Sequence, residues 1–357
     1  MLKLMNWLFD ASANWWGYLS QYLPLPPLVL RVRITNRCNL SCHYCYVGQS
    51  LNKKTESLLD FSEWEKILNN TPRNTLIDIT GGEPLLAPHI DKILGRMLDR
   101  KMKVSLITNG TIHKDDIFSM MVEKKLMHLM FSLDGPEEIN DNIRGKGSFQ
   151  KTMSAVKRIS ELKAQMKSRY PKVVAKVTLT VDSVKNVDDF CNYLFREGFD
   201  GVTLNLLFQN AARDGFADED SIMGNKFFQG NLIEFSPQDV PLFVESIKRV
   251  RNIYGQKVQI RPDVDLKDLE SYFTRPQSLM PQNCYKYNSV VTLYHNGTLS
   301  PCDLGLNVGN VRDIHFNIGK IFKEKRMKSF QNFMSKTSSQ KLPGCGGCCL
   351  KKHERVS

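Results

Sequence analysis

Residues 28–45 read Leu28-Val29-Leu30-Arg31-Val32-Arg33-Ile34-Thr35-Asn36-Arg37-Cys38-Asn39-Leu40-Ser41-Cys42-His43-Tyr44-Cys45. The first eight residues are branched, apolar and alternating, which predicts a strand. After the strand comes a short polar loop with thiols at spacings of four and three. Such a loop can wrap one face of a cubane cluster, each cysteine supplying a thiolate. Four irons and three protein ligands leave one iron open to a substrate or cosubstrate, as catalytic metal centres require. A zinc site fits less well, because it favours four ligands in paired CxxC form, and His43 sits too tightly between the cysteines to be the fourth.

Outward from this loop the pattern alternates. Strands are predicted at 28–35, 75–80, 103–108, 127–133, 172–180 and 201–207, with helices at 62–69, 90–101, 115–124, 148–163 and 187–197 between them. Strands alternating with helices imply a parallel sheet with right-handed crossovers. Six are too few for a closed eight-fold barrel, so the fold class is α/β, a partial (β/α)6 TIM-like barrel with its chemistry at the C-terminal strand ends. The domain expectation is a segment 1–27, a core 28–207, a connecting and substrate-covering region 208–280, and a small α+β unit 281–357. Within 208–280, Asn210–Gly224 reads as a loop over the barrel mouth, and 236–254 as a helix.

The chain has 357 residues and a net charge of +12, open to nucleic acid, an acidic peptide, an anionic membrane or a phosphate-bearing substrate. Base-reading modules are missing, so nucleic acid is disfavoured. Nine cysteines in clusters, without a signal peptide, point to metal or cluster binding in a reducing, cytoplasmic setting rather than to a disulfide framework. Met1, Met5, Leu8, Trp15, Leu19 and Tyr22 repeat at helical spacing opposite Lys3, Asn6, Asp10 and Asn14. This amphipathic segment either packs on the next domain or lies at a membrane surface through residues 1–23; polar residues exclude a spanning helix.

Thr80-Gly81-Gly82-Glu83-Pro84 follows the second strand, where two glycines permit close backbone approach to a ligand and Glu83 can accept from an ammonium. Ile107-Thr108-Asn109-Gly110 and Ser132-Leu133-Asp134-Gly135-Pro136 end the third and fourth strands, and Asn142-Ile143-Arg144-Gly145-Lys146-Gly147-Ser148-Phe149 comes next. Each alone reads as an ordinary turn. In this order they resemble the radical S-adenosylmethionine superfamily, whose signature is CxxxCx(aromatic)C after the first strand. The resemblance implies a [4Fe–4S] cluster on Cys38, Cys42 and Cys45, and S-adenosyl-L-methionine (SAM) bound to it through amine and carboxylate. It implies reductive cleavage to a 5′-deoxyadenosyl radical that abstracts a substrate hydrogen. It places Tyr44, Gly81, Gly82, Glu83, Asn109, Ser132, Asp134 and Arg144 around the cosubstrate, with Arg144 toward the carboxylate.

Cys284 and Cys302 flank an Asn296-Gly297 hairpin signal, and Cys345-Gly346-Gly347-Cys348-Cys349 nears the end of the sequence. By themselves these residues suit zinc or iron–sulfur equally. They resemble the SPASM and twitch extensions of the same superfamily. Five cysteines rather than seven imply one auxiliary [4Fe–4S] cluster on Cys284, Cys302, Cys345 and either Cys348 or Cys349. Asp303 matches an Asp read as a proton acceptor in related enzymes, although a solvated turn residue is the plainer reading. The expected substrate is a peptide or protein, with a small or lipid-linked molecule as the alternative and a non-catalytic electron carrier as the disfavoured one. A flavodoxin or ferredoxin is the implied electron donor.

Overall fold

The computed structural model describes residues 15–20, 22–23, 25–45, 47–54, 57–206, 236–274, 284–302, 306–336 and 352–353. The expectations for residues 1–14, the loop Asn210–Gly224, and Asp303, Cys345, Cys348 and Cys349 lie outside the described residues.

The alternating segments form β1 (Val29–Arg33), β2 (Leu76–Thr80), β3 (Lys103–Thr108), β4 (His128–Ser132), β5 (Lys172–Leu179) and β6 (Gly201–Leu206), all parallel and adjacent in chain order. Helices α1 (Phe61–Asn70), α2 (Ile90–Asp99), α3 (Asp115–Glu123), α4 (Glu137–Arg144), α5 (Ser148–Gln165) and α6 (Val187–Arg196) fall between the strands. One strand face, including Leu30, Val32, Ile77, Ile79, Leu129 and Phe131, joins the buried apolar core with the helices. The other face is polar: register places Arg31, Asp78, Ser105, His128 and Lys172 in one row across five strands. Arg31 pairs with Asp78 at 3.4 Å, and Ser105 Oγ lies 3.1 Å from His128 Nδ1.

The sheet is wider than the six strands expected. Residues 208–280 contribute α7 (Val240–Tyr254) and a seventh parallel strand, β7 (Val258–Arg261), beside β6. The Asn296-Gly297 hairpin forms as expected, from β8 (Val290–Tyr294) and β9 (Thr298–Pro301), with β10 (Gly309–Asn310) beyond it. Instead of founding a sheet of its own, β8 pairs parallel with β1, Arg31 opposite Thr292. The helix α8 (Lys325–Lys336) comes after the hairpin. A two-residue ladder joins Asp263–Val264 to Lys352–His353. Among the described residues no helix is long and apolar enough to cross a membrane.

Arg312 locks the C-terminal segment onto α1. Asp60 caps α1, its carboxylate accepting from the Glu63 amide at 2.8 Å while Glu63 accepts from the Asp60 amide. The Arg312 guanidinium then donates to both Glu63 oxygens (2.6 and 2.9 Å) and to the Asn296, Ser57 and Leu58 carbonyls. Hydrogen bonding from Arg312 holds the Glu63 carboxyl below the usual range, against the opposing effect of burial. A depressed carboxylate stabilises the fold above its unfolded pKa, about 4.3, and loses that contribution as pH falls through the lower folded value. Arg312→Met is therefore expected to cost about 1–3 kcal/mol near neutral pH. Denaturant titrations should show the gap closing below about pH 4; a gap constant down to about pH 3 would contradict the assignment.

Candidate cluster and cofactor site

The cysteine loop leaves β1 at the C-terminal edge of the sheet and is closed by Asn52. Asn52 is left-handed (φ 59°), a conformation asparagine tolerates. Its side-chain amide accepts from the Cys38 amide and donates to the Cys38 carbonyl, both at 3.0 Å. The Asn52 amide returns a bond to the Asn36 carbonyl at 2.9 Å, and the Asn36 side chain donates to the Lys53 carbonyl. One asparagine thus does for Cys38 what a neighbouring strand would do.

Cys38, Cys42 and Cys45 are all half-buried. Burial pushes the Cys38 thiol up, Glu83 and Cys45 add to that, and the Leu40 and Asn39 amides oppose it. Burial also raises Cys42, where Arg144 opposes and Cys45, Asp134 and Cys38 reinforce. Thiols that hinder one another's ionisation in this way form a donor set that a bound cation relieves. Among the described residues no three His, Cys, Asp or Glu converge closely enough for a single metal ion. A cubane needs no such convergence, because each thiolate meets a different iron, so the residues present fit a cluster.

The two glycines of the 80–84 motif serve the cysteine loop itself. Gly81 has φ 141°, and a Cβ there would stand 2.5 Å from the Thr35 carbonyl oxygen. A Cβ on Gly82 would stand 2.2 Å from the Arg37 oxygen. The Gly82 and Glu83 amides donate to those same carbonyls at 2.7 Å. The close approach predicted toward a ligand is here a close approach to the neighbouring backbone.

Glu83 is fully buried. Its Oε1 accepts from the Thr108 hydroxyl (2.8 Å) and the Leu85 amide (3.1 Å), and its Oε2 from the Asn109 amide (2.7 Å). Burial raises the Glu83 carboxyl against these three donors. Asn109 is likewise committed: its Nδ2 donates to Asn39 Oδ1 at 3.0 Å, and its Oδ1 accepts from the Thr111 amide and hydroxyl. Asn39 closes the ring by donating to Thr111 Oγ1 at 2.8 Å. The groups read from sequence as ligand contacts join the ends of β1, β2 and β3 to one another.

Asp134, fully buried after β4, forms an ion pair with Arg144 Nε and accepts from the Thr178 amide at 3.0 Å. Arg144 Nη1 lies 3.9 Å from Cys42 Sγ. Burial opposes the Arg144 charge, but Asp134, Tyr44 and Cys42 outweigh it, so the guanidinium stays ionised. The Tyr44 hydroxyl is raised by burial and then by Asp134. Ser132 ends β4 in register with Lys176, half-buried. Sequence reading missed α4 and with it Asp141, which accepts from the Gly147 and Phe149 amides and the Ser148 hydroxyl at the start of α5. These bonds set the turn beyond Arg144; an acid just before a Gly-x-Gly-Ser helix start was the available signal.

Cys284 and Cys302 are half-buried, and the Tyr287 hydroxyl is raised by burial first and then by Cys284, Tyr285 and Cys302. Cys302 has φ 53°; its amide donates to the Val290 carbonyl, and its carbonyl accepts from Thr292 Oγ1.

Residues 32–172, the span holding the cysteine loop, the glycine motif and Arg144, match the radical SAM superfamily. The chain contains a radical SAM domain, which spans under half of its length. It is 27% identical over 201 residues to the sporulation killing factor maturation protein SkfB of Bacillus subtilis, covering 54% of this chain and 46% of that protein. It is 33% identical over 146 residues to the antilisterial bacteriocin subtilosin biosynthesis protein AlbA of the same organism, covering 40% and 32%. The chain thus spans under half the length of these relatives. Native anSMEcpe with bound AdoMet superposes with a TM-score of 0.60 at 20% identity, covering 90% of this chain and 89% of that one. Streptococcus suis SuiB bound to S-adenosylmethionine gives 0.62 at 16%, covering 90% and 72%. These two likenesses are of fold, and they agree with a partial barrel. The superfamily takes a [4Fe–4S] cluster and SAM.

Two sets of variants probe this geometry. Gly82→Ala is expected to cost about 1–3 kcal/mol through overpacking against Arg37 and to lower iron incorporation; an unchanged Tm and full iron loading would refute the contact. Asp134→Leu should cost about 3–5 kcal/mol by leaving Arg144 buried and unpaired, and adding Arg144→Met should restore most of it. A strictly additive double variant in urea titrations would show that the two side chains do not act as a pair.

Proposed function

We propose that this chain is a radical SAM enzyme that modifies a peptide or protein. The observation that carries the reading is the set of three half-buried cysteines at the C-terminal rim of a parallel sheet, braced by Asn52 and faced by Arg144. Cys38, Cys42 and Cys45 would hold the cluster, which with SAM bound supplies a 5′-deoxyadenosyl radical for hydrogen abstraction. Around it Arg144 keeps a fixed positive charge against Cys42, and Asp134 balances that charge away from the thiols. Glu83 sets the spacing of the three loops, and Tyr44 closes the site beside Asp134. Ser132 and the rest of the rim are left to contact the cosubstrate.

Support for a peptide substrate comes from what the similar proteins are called: maturation protein, bacteriocin biosynthesis protein, and mycofactocin maturase for MftC of Mycobacterium tuberculosis, 26% identical over 175 residues. Cys284 and Cys302, with Cys345 and Cys348 or Cys349, would hold an auxiliary [4Fe–4S] cluster on the hairpin that pairs with β1. Asp303, next to Cys302, would take the substrate proton, and a flavodoxin or ferredoxin would deliver electrons.

Anaerobic reconstitution tests this reading. The protein should bind about eight irons, four for each cubane, and release 5′-deoxyadenosine from SAM under reduction. Cys42→Ala should abolish that release. Asp303→Asn should retain it while losing modified peptide. A loaded protein that releases none would refute the proposal.

A further inference from the structure

The end of the molecule opposite the cysteine loop carries features the radical chemistry does not use. Pro26 and Pro27 precede β1, and Asn70 to Pro72 precede β2, so both segments lie at the N-terminal ends of their strands. They line a cavity of about 360 Å³ together with Gly319, Lys320 and Lys323. Trp16 Nε1 donates to the Pro26 carbonyl at 2.8 Å, and Gly319 packs against Pro26. From the other side, Asn288 donates to the Gly17 carbonyl at 3.1 Å and accepts from Gln331 of α8 at 2.7 Å. Trp16 and Gly17 are therefore bridged to the segment 318–336 at two points, through Pro26 and through Asn288.

Both partners in this contact carry unusual surfaces. Trp15 is 63% exposed, Tyr22 71% and Leu23 50%, three of the most exposed large apolar side chains among the described residues. Trp15 stacks on Tyr18, and Tyr18 meets Tyr22 edge-on, so the ring cluster is continuous. Between residues 318 and 336 there are six cations, Lys320, Lys323, Lys325, Arg326, Lys328 and Lys336, and one acid, Glu324. All six cations are exposed, whereas Met327, Phe330 and Met334 turn inward. A charged helix face alone is usually a solvated one. Here it adjoins exposed indole, phenol and leucine, side chains that gain from insertion at the level of lipid headgroups but not from lying along a phosphodiester backbone. The net charge of +12 has the sign an anionic leaflet attracts.

We propose that this end of the protein docks on an anionic membrane surface. Trp15, Tyr22 and Leu23 enter the interface, while the exposed cations of 318–336 contact the headgroups. Lys320 and Lys323 present the cavity beneath Pro26 to one lipid phosphate. This proposal does not rest on the radical chemistry, and its test needs no turnover.

The experiment is co-sedimentation of the full-length, reconstituted protein with large vesicles of phosphatidylcholine alone or with about 30% phosphatidylglycerol. Binding to the mixed vesicles only, weakening as salt rises, is the expected result. Lys320→Glu/Lys323→Glu/Lys328→Glu should lower partitioning at least about tenfold, and Trp15→Ala/Tyr22→Ala about tenfold even at low salt. Both variants should keep the parent Tm and iron content, which separates loss of docking from loss of fold. Absence of binding to the mixed vesicles would overturn the proposal, as would equal binding to both vesicle types. Retention of an arbitrary RNA without vesicle binding would reassign the surface to nucleic acid.

Discussion

Glu83 is a carboxylate with no exposed surface, and both of its oxygens are occupied by donors from the ends of β2 and β3. A buried carboxylate short of partners costs several kcal/mol, so these donors must be in place for the rim to exist at all. The backbone around it has the same character. The Gly82 and Glu83 amides reach across to β1's loop, at positions where any side chain on Gly82 would strike the Arg37 carbonyl. Through this one residue the loop that carries Cys38, Cys42 and Cys45 is tied to the two strands beside it. The rest of the site is suspended from that tie, including the Asn39–Asn109–Thr111 ring.

Charge is settled in the same economical way on the far side of the thiols. Three thiolates would repel one another, and a lone buried guanidinium would be unfavourable. Arg144 meets both needs, facing Cys42 while Asp134 neutralises it from behind. Asp134 is fixed by the Thr178 amide, and the turn after Arg144 is fixed by Asp141, so the cation cannot swing out to solvent without breaking bonds in two elements. Preorganisation of this kind keeps the electrostatic field constant while a substrate exchanges.

The six central strands were legible because each repeats its apolar residues with period two between polar turns. β7 escaped notice because Val258–Arg261 is four residues long and sits in a region without regular periodicity. The pairing of β8 with β1 has no local signature, since it joins residues 29–33 to 290–294. The same limit applied at the site. The cysteine triad, the glycine pair and Arg144 could be picked out by residue type and order, but Asn39, Asn52 and Asp141 do ordinary things in sequence terms. Their importance lies in long-range bonds: Asn39 with Asn109, and Asn52 with a cysteine fourteen positions earlier. Glu83 was singled out as a ligand contact, whereas its hydrogen bonds run inward to Leu85, Thr108 and Asn109, which only the three-dimensional arrangement of β2 and β3 could disclose.

Parallel strands give a sheet two unlike poles. Here the thiol loop occupies one pole, and the Pro26–Pro27 and Lys320–Lys323 cavity the other, separated by the length of β1, about 17 Å. A protein resting on lipid by its lower pole would hold its rim upward, facing water. A reactant embedded in the bilayer would then be on the wrong side, whereas a flexible chain diffusing in the aqueous phase, or emerging from another complex on the same surface, could be threaded in from above. Polarity of the strands would in that way become polarity of traffic.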